Sequence, residues 1–109
     1  MLRAVACLAF VFACQSEDVS RRLGARCDTT SECDQKCLTS SGDWPGGFCT
    51  VACTSDSDCG EGNHCISEDG GVCVFACMNT ADCTFLGSGY TCTEVDAIDN
   101  TKVTVCRGG

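Results

Sequence analysis

The chain contains the stretch Cys53-Thr-Ser-Asp-Ser-Asp-Cys59-Gly-Glu-Gly-Asn-His-Cys65, and a fourth cysteine follows at Cys73. The same order of four cysteines occurs before and after this stretch, so that three units cover residues 27–49, 53–73 and 77–106. Their first cysteines lie 26 and then 24 residues apart, and a fixed period in this range is typical of tandem repeat proteins. The repeat is therefore the feature from which we infer the fold.

The units share more than their cysteines. Segments rich in Ser, Thr, Asn and Asp separate the first two cysteines, a composition that favours short helical turns. An acidic residue precedes each second cysteine, as Glu32, Asp58 and Asp82. β-branched residues and turn signals such as Asp69-Gly70 predict a hairpin between the third and fourth cysteines. We predict a small disulfide-rich fold of three tandem units, each a short turn plus a two-stranded β-ribbon, with little regular secondary structure.

Twelve cysteines stand in this register, and they predict about six disulfides, most simply two in each unit. They are Cys27, Cys33, Cys37, Cys49, Cys53, Cys59, Cys65, Cys73, Cys77, Cys83, Cys92 and Cys106. Closing a loop of this size stabilises a fold by roughly 3 kcal/mol in the chain-entropy model. Four cysteines allow three pairings, so the connectivity within a unit stays open.

Composition indicates an oxidising compartment, because 14 of the 109 residues are cysteine and such a density is typical of exported disulfide scaffolds. Large aromatic residues are few beyond the N-terminal segment, so we expect a thin apolar core that needs cross-links. The net charge is -8, and residues 27–101 carry 13 acidic residues and one basic residue, Lys36. We expect no nucleic-acid partner, since such a surface repels phosphate.

Residues 1–13 have the layout of a secretory signal peptide, with Arg3 before a short apolar run. The run ends in Val11-Phe12-Ala13-Cys14, which resembles a bacterial lipobox. The resemblance implies that lipoprotein signal peptidase cuts before Cys14, which then carries lipid on its thiol and on its new amino group. Val-x-Ala also suits ordinary signal peptidase, and that enzyme would leave Cys14 as a free N-terminal residue.

Cysteine parity favours the lipoprotein interpretation. If Cys7 leaves with the signal peptide and Cys14 is lipidated, an even number of cysteines remains. Residues 14–26 then form a lipidated N-terminus and a flexible polar tether. We expect the membrane to be a partner through this anchor, in the cell envelope or outer membrane, whereas a chain without lipid would be secreted.

The cysteine pattern is similar to that of Dickkopf N-terminal-like modules, including those in predicted bacterial lipoproteins. The matching stretches are residues 53–65 and Cys77-Met-Asn-Thr-Ala-Asp-Cys83, which continues to Gly89-Tyr90-Thr-Cys92. The resemblance covers residues 27–106. It implies an extracytoplasmic, non-catalytic module.

Few residues suggest other chemistry. His64 adjoins Cys65, but a cysteine in the repeat register is expected to be bridged. Cys-x-x-Cys, the spacing of redox and zinc motifs, does not occur. Asp56-Ser-Asp58 and Glu68-Asp69 do not fit EF-hand spacing, and we interpret them as solvated turn acids. Trp44 is expected in a small satellite core, with an exposed binding anchor as the alternative. We expect no catalytic residue, no metal site and no cofactor.

The sequence thus predicts an exported, lipid-anchored, non-catalytic binding or structural module that an extracellular protein could recognise. Two alternatives stay open. One is a small secreted protease inhibitor, which would present the loop of residues 39–47. The other is a thiol-rich metal-binding protein.

Overall fold

A computed structural model describes residues 23–109 of the chain. It contains three two-stranded antiparallel sheets, one in each unit. The sheets pair β1 (Lys36–Leu38) with β2 (Phe48–Thr50), β3 (Asn63–Ile66) with β4 (Val72–Phe75), and β5 (Tyr90–Asp96) with β6 (Lys102–Gly108). The predicted fold class is confirmed.

A 3₁₀ turn begins between the first two cysteines of each unit, at Thr30–Glu32, Asp56–Asp58 and Thr80–Leu86. A further 3₁₀ segment, Glu68–Gly70, forms the loop between β3 and β4, where the sequence predicts a turn. Asp69 in this loop has a φ of 54°, a left-handed conformation that Asp tolerates better than most residues. Turn chemistry therefore places this hairpin correctly.

Two glycines allow the hairpins of the first two units to approach the first cysteine of their own unit. Gly47 has a φ of 81° and Gly71 a φ of 117°. A Cβ at Gly47 would collide with the carbonyl oxygen of Cys27, and a Cβ at Gly71 with that of Cys53. The second glycine of each Gly-Gly pair is therefore required by both backbone conformation and space.

Two small clusters surround the cysteines of the first and second units, whereas one larger apolar core draws on all three units. Its members are buried side chains from every hairpin and from the third turn: Leu38, Trp44, Phe48, Ile66, Val72, Val74, Cys77, Cys83, Leu86, Tyr90, Val105 and Cys106. Phe48 is fully buried, and its ring centroid lies 5.2 Å from that of Trp44 and 6.4 Å from that of Tyr90. The core is thus more extensive than the few aromatic residues suggest, because the units contribute to it jointly.

Hydrogen bonds join the units in all three pairs. The Thr50 hydroxyl of the first unit donates a buried 2.6 Å hydrogen bond to the carbonyl of Cys73 in the second. The amide of Ile98 in the third unit donates to the carbonyl of Cys65 in the second. The amide of Gly108 donates to the carbonyl of Asp43 at 2.7 Å, which joins the third unit to the first. Each unit therefore contacts both of the others, whereas in a solenoid each repeat contacts only its neighbours along the chain.

The last four residues of the predicted tether contact the first unit. The amide of Gly24 donates to the carbonyl of Cys49, and the amide of Cys49 donates to the carbonyl of Ala25. Leu23 packs partly buried against the main core. The folded part of the chain therefore includes residues before Cys27.

Candidate functional site

The twelve cysteines of the repeat form six disulfides, and each unit uses the same connectivity. The first cysteine pairs with the third and the second with the fourth: Cys27–Cys37, Cys33–Cys49, Cys53–Cys65, Cys59–Cys73, Cys77–Cys92 and Cys83–Cys106. This selects one of the three pairings that the sequence left open. Disulfides at this density are typical of proteins in oxidising, extracytoplasmic environments.

The third and fourth cysteines lie directly opposite each other across each hairpin, yet they are not joined to each other. In the second unit Cys65 faces Cys73 in the register of β3 and β4, and their sulfurs bond to Cys53 and Cys59 at the two ends of the turn segment. The two disulfides therefore link both strands covalently to one turn, and this stabilises a ribbon too short to be stable alone.

The acidic residue before each second cysteine reaches back to the start of its turn. Glu32 accepts hydrogen bonds from the amides of Asp28 and Thr29 at 2.6 and 3.2 Å. Asp58 and Asp82 make the equivalent bonds to Thr54 and to Met78 and Asn79. Backbone amides that donate to the charged form lower the pKa of Glu32 and the pKa of Asp58. These acids therefore cap the turns.

A second repeated polar position was missed by the sequence analysis. The first residue of each turn accepts a hydrogen bond from the amide of the third cysteine, through the side chains of Thr30, Asp56 and Thr80. Alignment of the three five-residue segments would have shown the signal, because each has an oxygen-bearing side chain at this position.

In the second unit His64 also contacts the residue at this repeated position, Asp56. Its Nδ1 lies 2.9 Å from Oδ2 of Asp56, whose other oxygen accepts from the amide of Cys65. The amide first and then His64 lower the pKa of Asp56. The sulfur of Cys65 is bonded to Cys53, so it offers His64 no thiolate to activate.

The acidic pairs that suggest calcium loops have protein partners. Asp56 and Asp58 make the turn contacts described above, Glu68 accepts from Arg107, and Asp69 lies 3.2 Å from Nζ of Lys36. In each unit three cysteine sulfurs lie within 4.8 Å of one another, but all of them belong to disulfides. These carboxylates and sulfurs act structurally in the part of the chain that is described.

Trp44 lies in the main core and not in a satellite core or at an exposed position, with only 4% of its surface accessible. The loop that contains it is held by side-chain oxygens. Ser41 Oγ accepts from the amides of Asp43 and Trp44, and Ser40 Oγ accepts from the amide of Gly46. The loop of residues 39–47 therefore turns its largest side chain inward.

A different surface has four apolar side chains that are at least partly accessible, and we call Leu23, Val51, Phe75 and Phe85 the apolar patch. The first three line a cavity of about 350 Å³. The ring of Phe75 contacts that of Phe85 edge to face, with centroids 5.1 Å apart. Phe85 is 65% exposed. The patch therefore combines an exposed aromatic ring with a cavity lined by apolar side chains.

The predicted lipidation residue, Cys14, and the predicted signal peptide lie outside the described residues. Between residues 23 and 109 the structure has no helix with the length and hydropathy that a membrane crossing requires. Comparison with known proteins finds no matching family model, no matching curated sequence and no matching solved structure.

Proposed function

We propose that this protein is an extracytoplasmic lipoprotein, anchored through Cys14, whose folded part is a non-catalytic binding or structural module. The six disulfides carry the proposal, because such a framework forms and persists outside the reducing cytosol. A protein of this kind must be exported, and residues 1–13 have the layout of the signal that export requires.

The cysteine count supports the anchor. The disulfides use twelve of the 14 cysteines, so the two that remain, Cys7 and Cys14, both lie in the N-terminal segment. In the proposed maturation Cys7 is removed with the signal peptide and Cys14 receives the lipid. Neither cysteine then leaves a free thiol to interfere with correct pairing. Several acyl chains on one residue hold a protein to a bilayer far more firmly than a single chain does.

The use of the polar side chains supports a non-catalytic role. His64 is engaged with Asp56, the neighbouring cysteine is oxidised, and the turn acids bind backbone amides. A general base needs a reacting group within hydrogen-bond reach, and these side chains instead make their contacts within the fold.

The two alternative functions have less support. A protease inhibitor of the expected kind would present residues 39–47, but Trp44 in this loop is buried and is not free to enter a protease pocket. A thiol-rich metal store needs thiolates as ligands, whereas the sulfurs of all three units are joined in pairs.

Substitution of the two N-terminal cysteines tests the proposal. We expect Cys14→Ala to abolish lipid incorporation and to release the protein from membranes or block its maturation. Cys7→Ala is the matched control, because it removes a nearby cysteine from the signal peptide and should leave anchoring unchanged. Fractionation and mass spectrometry of the mature N-terminus provide the measurement. A Cys14→Ala protein that is processed and membrane-bound like the native chain would refute the anchor.

A further inference from the structure

The apolar patch lies where the described part of the chain begins, since Leu23 is both a member of the patch and the first described residue. Gly24 packs beneath it: a Cβ at this position would lie 2.6 Å from the Phe75 ring and 3.2 Å from Leu86. The patch and the point at which the chain leads toward Cys14 therefore occupy the same side of the molecule.

The tether limits how far the patch can be from a bilayer. Leu23 follows Cys14 by nine residues, and even a fully extended chain spans at most about 3.5 Å per residue, or roughly 32 Å in total. A short tether of this kind gives an effective concentration on the order of millimolar. A contact with the bilayer that would be too weak to recruit a free protein is therefore sufficient to orient a tethered one.

Charge on this side differs from the charge elsewhere. Basic residues stand close to Leu23 in the sequence, as Arg21, Arg22 and Arg26, which are three of the seven in the chain, and of these the structure describes Arg26. Arg26 is exposed, and its guanidinium lies close to Gly87, which follows Phe85 by two residues, because a Cβ at Gly87 would be 3.0 Å from Nη2 of Arg26. Asp34 is the one acidic residue that lines the adjoining cavity. Asp28 and Glu32 line a second cavity together with Arg26, so the charge near the patch is mixed, and Arg26 is the described cation there that a lipid phosphate can contact.

We propose that the apolar patch, with Arg26 at its edge, docks onto the surface of the lipid bilayer that holds the Cys14 anchor. Phe85 and Leu23 enter the interface between headgroups and acyl chains, which aromatic side chains favour. Arg26 contacts lipid phosphate. The opposite side of the folded part is then presented to partners in a fixed orientation. This inference rests on the proposed anchoring, because the anchor supplies the proximity.

The test replaces the natural anchor, so that its result is independent of whether Cys14 is lipidated. Residues 15–109 with an N-terminal hexahistidine tag are held on vesicles of phosphatidylcholine, phosphatidylglycerol and a nickel-chelating lipid. Phe85→Trp places a fluorescent probe in the patch. Glu94→Trp is the matched control, because Glu94 is exposed and lines a separate groove that shares no residue with the cavity of the patch. The buried Trp44 contributes equally to both.

We expect brominated acyl chains to quench the added fluorescence of Phe85→Trp at least threefold more than that of Glu94→Trp. Arg26→Gln in the Phe85→Trp background should reduce the quenching on vesicles that contain phosphatidylglycerol. Equal quenching of the two probes would overturn the proposal. The proposal would also be overturned if the protein self-associates through Phe85 and stays unquenched on vesicles. In that case a second copy of the chain, and not the bilayer, would cover the patch. A negative Cys14→Ala experiment, by contrast, refutes the natural anchor and leaves this result unchanged.

Discussion

The turns of the three units are alike, whereas the hairpins differ. Each turn is flanked by the first two cysteines, has a carboxylate that caps its start, and begins with a side chain that binds the amide of the third cysteine. The hairpins have strands of three, four and seven residues. The bridges tolerate this variation because they attach to the strands only at the one facing pair of cysteines.

This difference separates two structural roles. The repeated turn and its disulfides hold each unit together. The variable hairpins hold the units to one another, and the longest of them contacts both other units. Arg107 on β6 shows how a hairpin joins units, because its guanidinium pairs with Asp43 of the first unit and Glu68 of the second, and lies 5.9 Å from the centre of the Trp44 ring.

Reduction of all six bridges should have the largest effect, because it removes the covalent links that hold each unit together. Each bridge contributes roughly 3 kcal/mol in the chain-entropy model; the terms do not simply add, but losing several of them is comparable with the roughly 5–15 kcal/mol by which domains are normally stable. We expect the fluorescence emission of the buried Trp44 to shift to longer wavelength when a reductant is added in the absence of metal. An unchanged spectrum would mean that the shared core suffices without cross-links.

Phe48→Ala tests the contacts between units, through the core to which the hairpins contribute. Phe48 is fully buried and contacts Trp44, Phe75 and Tyr90, which come from three different hairpins. Truncating such a ring costs about 3–5 kcal/mol. Denaturant unfolding should show this loss, and hydrogen exchange should rise in all three hairpins. The exposed Phe85→Ala is the control and should change stability by less than about 1 kcal/mol. Exchange confined to residues 27–49 would show that the units are independent.

The sequence predicted the structure within each unit better than the contacts between units. Cysteine register placed the units, and the turn signal Asp69-Gly70 placed the loop between β3 and β4. These features depend on contacts within about 25 residues. The contact of the third unit with the first, and the position of Trp44 in the main core, depend on the direction in which each hairpin leaves its turn. The cysteine period carries no information about that direction, so the contact between the third unit and the first was not predicted.

Arg107→Met also tests the contacts between units, and we expect it to reduce stability less than Phe48→Ala does. The Arg107 side chain is 23% exposed and joins two carboxylates from different units. We expect a loss of about 1–2 kcal/mol, since partly buried, charge-assisted hydrogen bonds exceed surface ion pairs in strength. Lys102→Met is the control, because Lys102 is 64% exposed and pairs with Asp96 of its own hairpin. Its substitution should leave the denaturation midpoint unchanged. Similar losses for the two variants would mean that Arg107 does not join the units.

Asp58→Asn should give the smallest effect, and it acts on the repeated turn. The amide of Thr54 donates to the Asp58 carboxylate and lowers the pKa of Asp58. A carboxyl group whose pKa is lower in the folded state stabilises the fold above its unfolded pKa, about 3.9, and this contribution disappears as the pH falls through the folded pKa. We therefore expect Asp58→Asn to lower the denaturation midpoint at pH 7, where the native residue is charged, and to match the native chain more closely at pH 2.

The matched control for Asp58→Asn is Glu61→Gln, because Glu61 is an exposed acid of the same unit that lies outside the turn. Its midpoint should follow that of the native chain at both pH values. The comparison matters because acid titration of the whole chain also relieves repulsion among its many carboxylates, which acts in the opposite direction. A difference between Asp58→Asn and Glu61→Gln that is present at pH 7 and vanishes at pH 2 isolates the turn contact. A difference of equal size at both pH values would show that the Asp58 charge does not stabilise the turn.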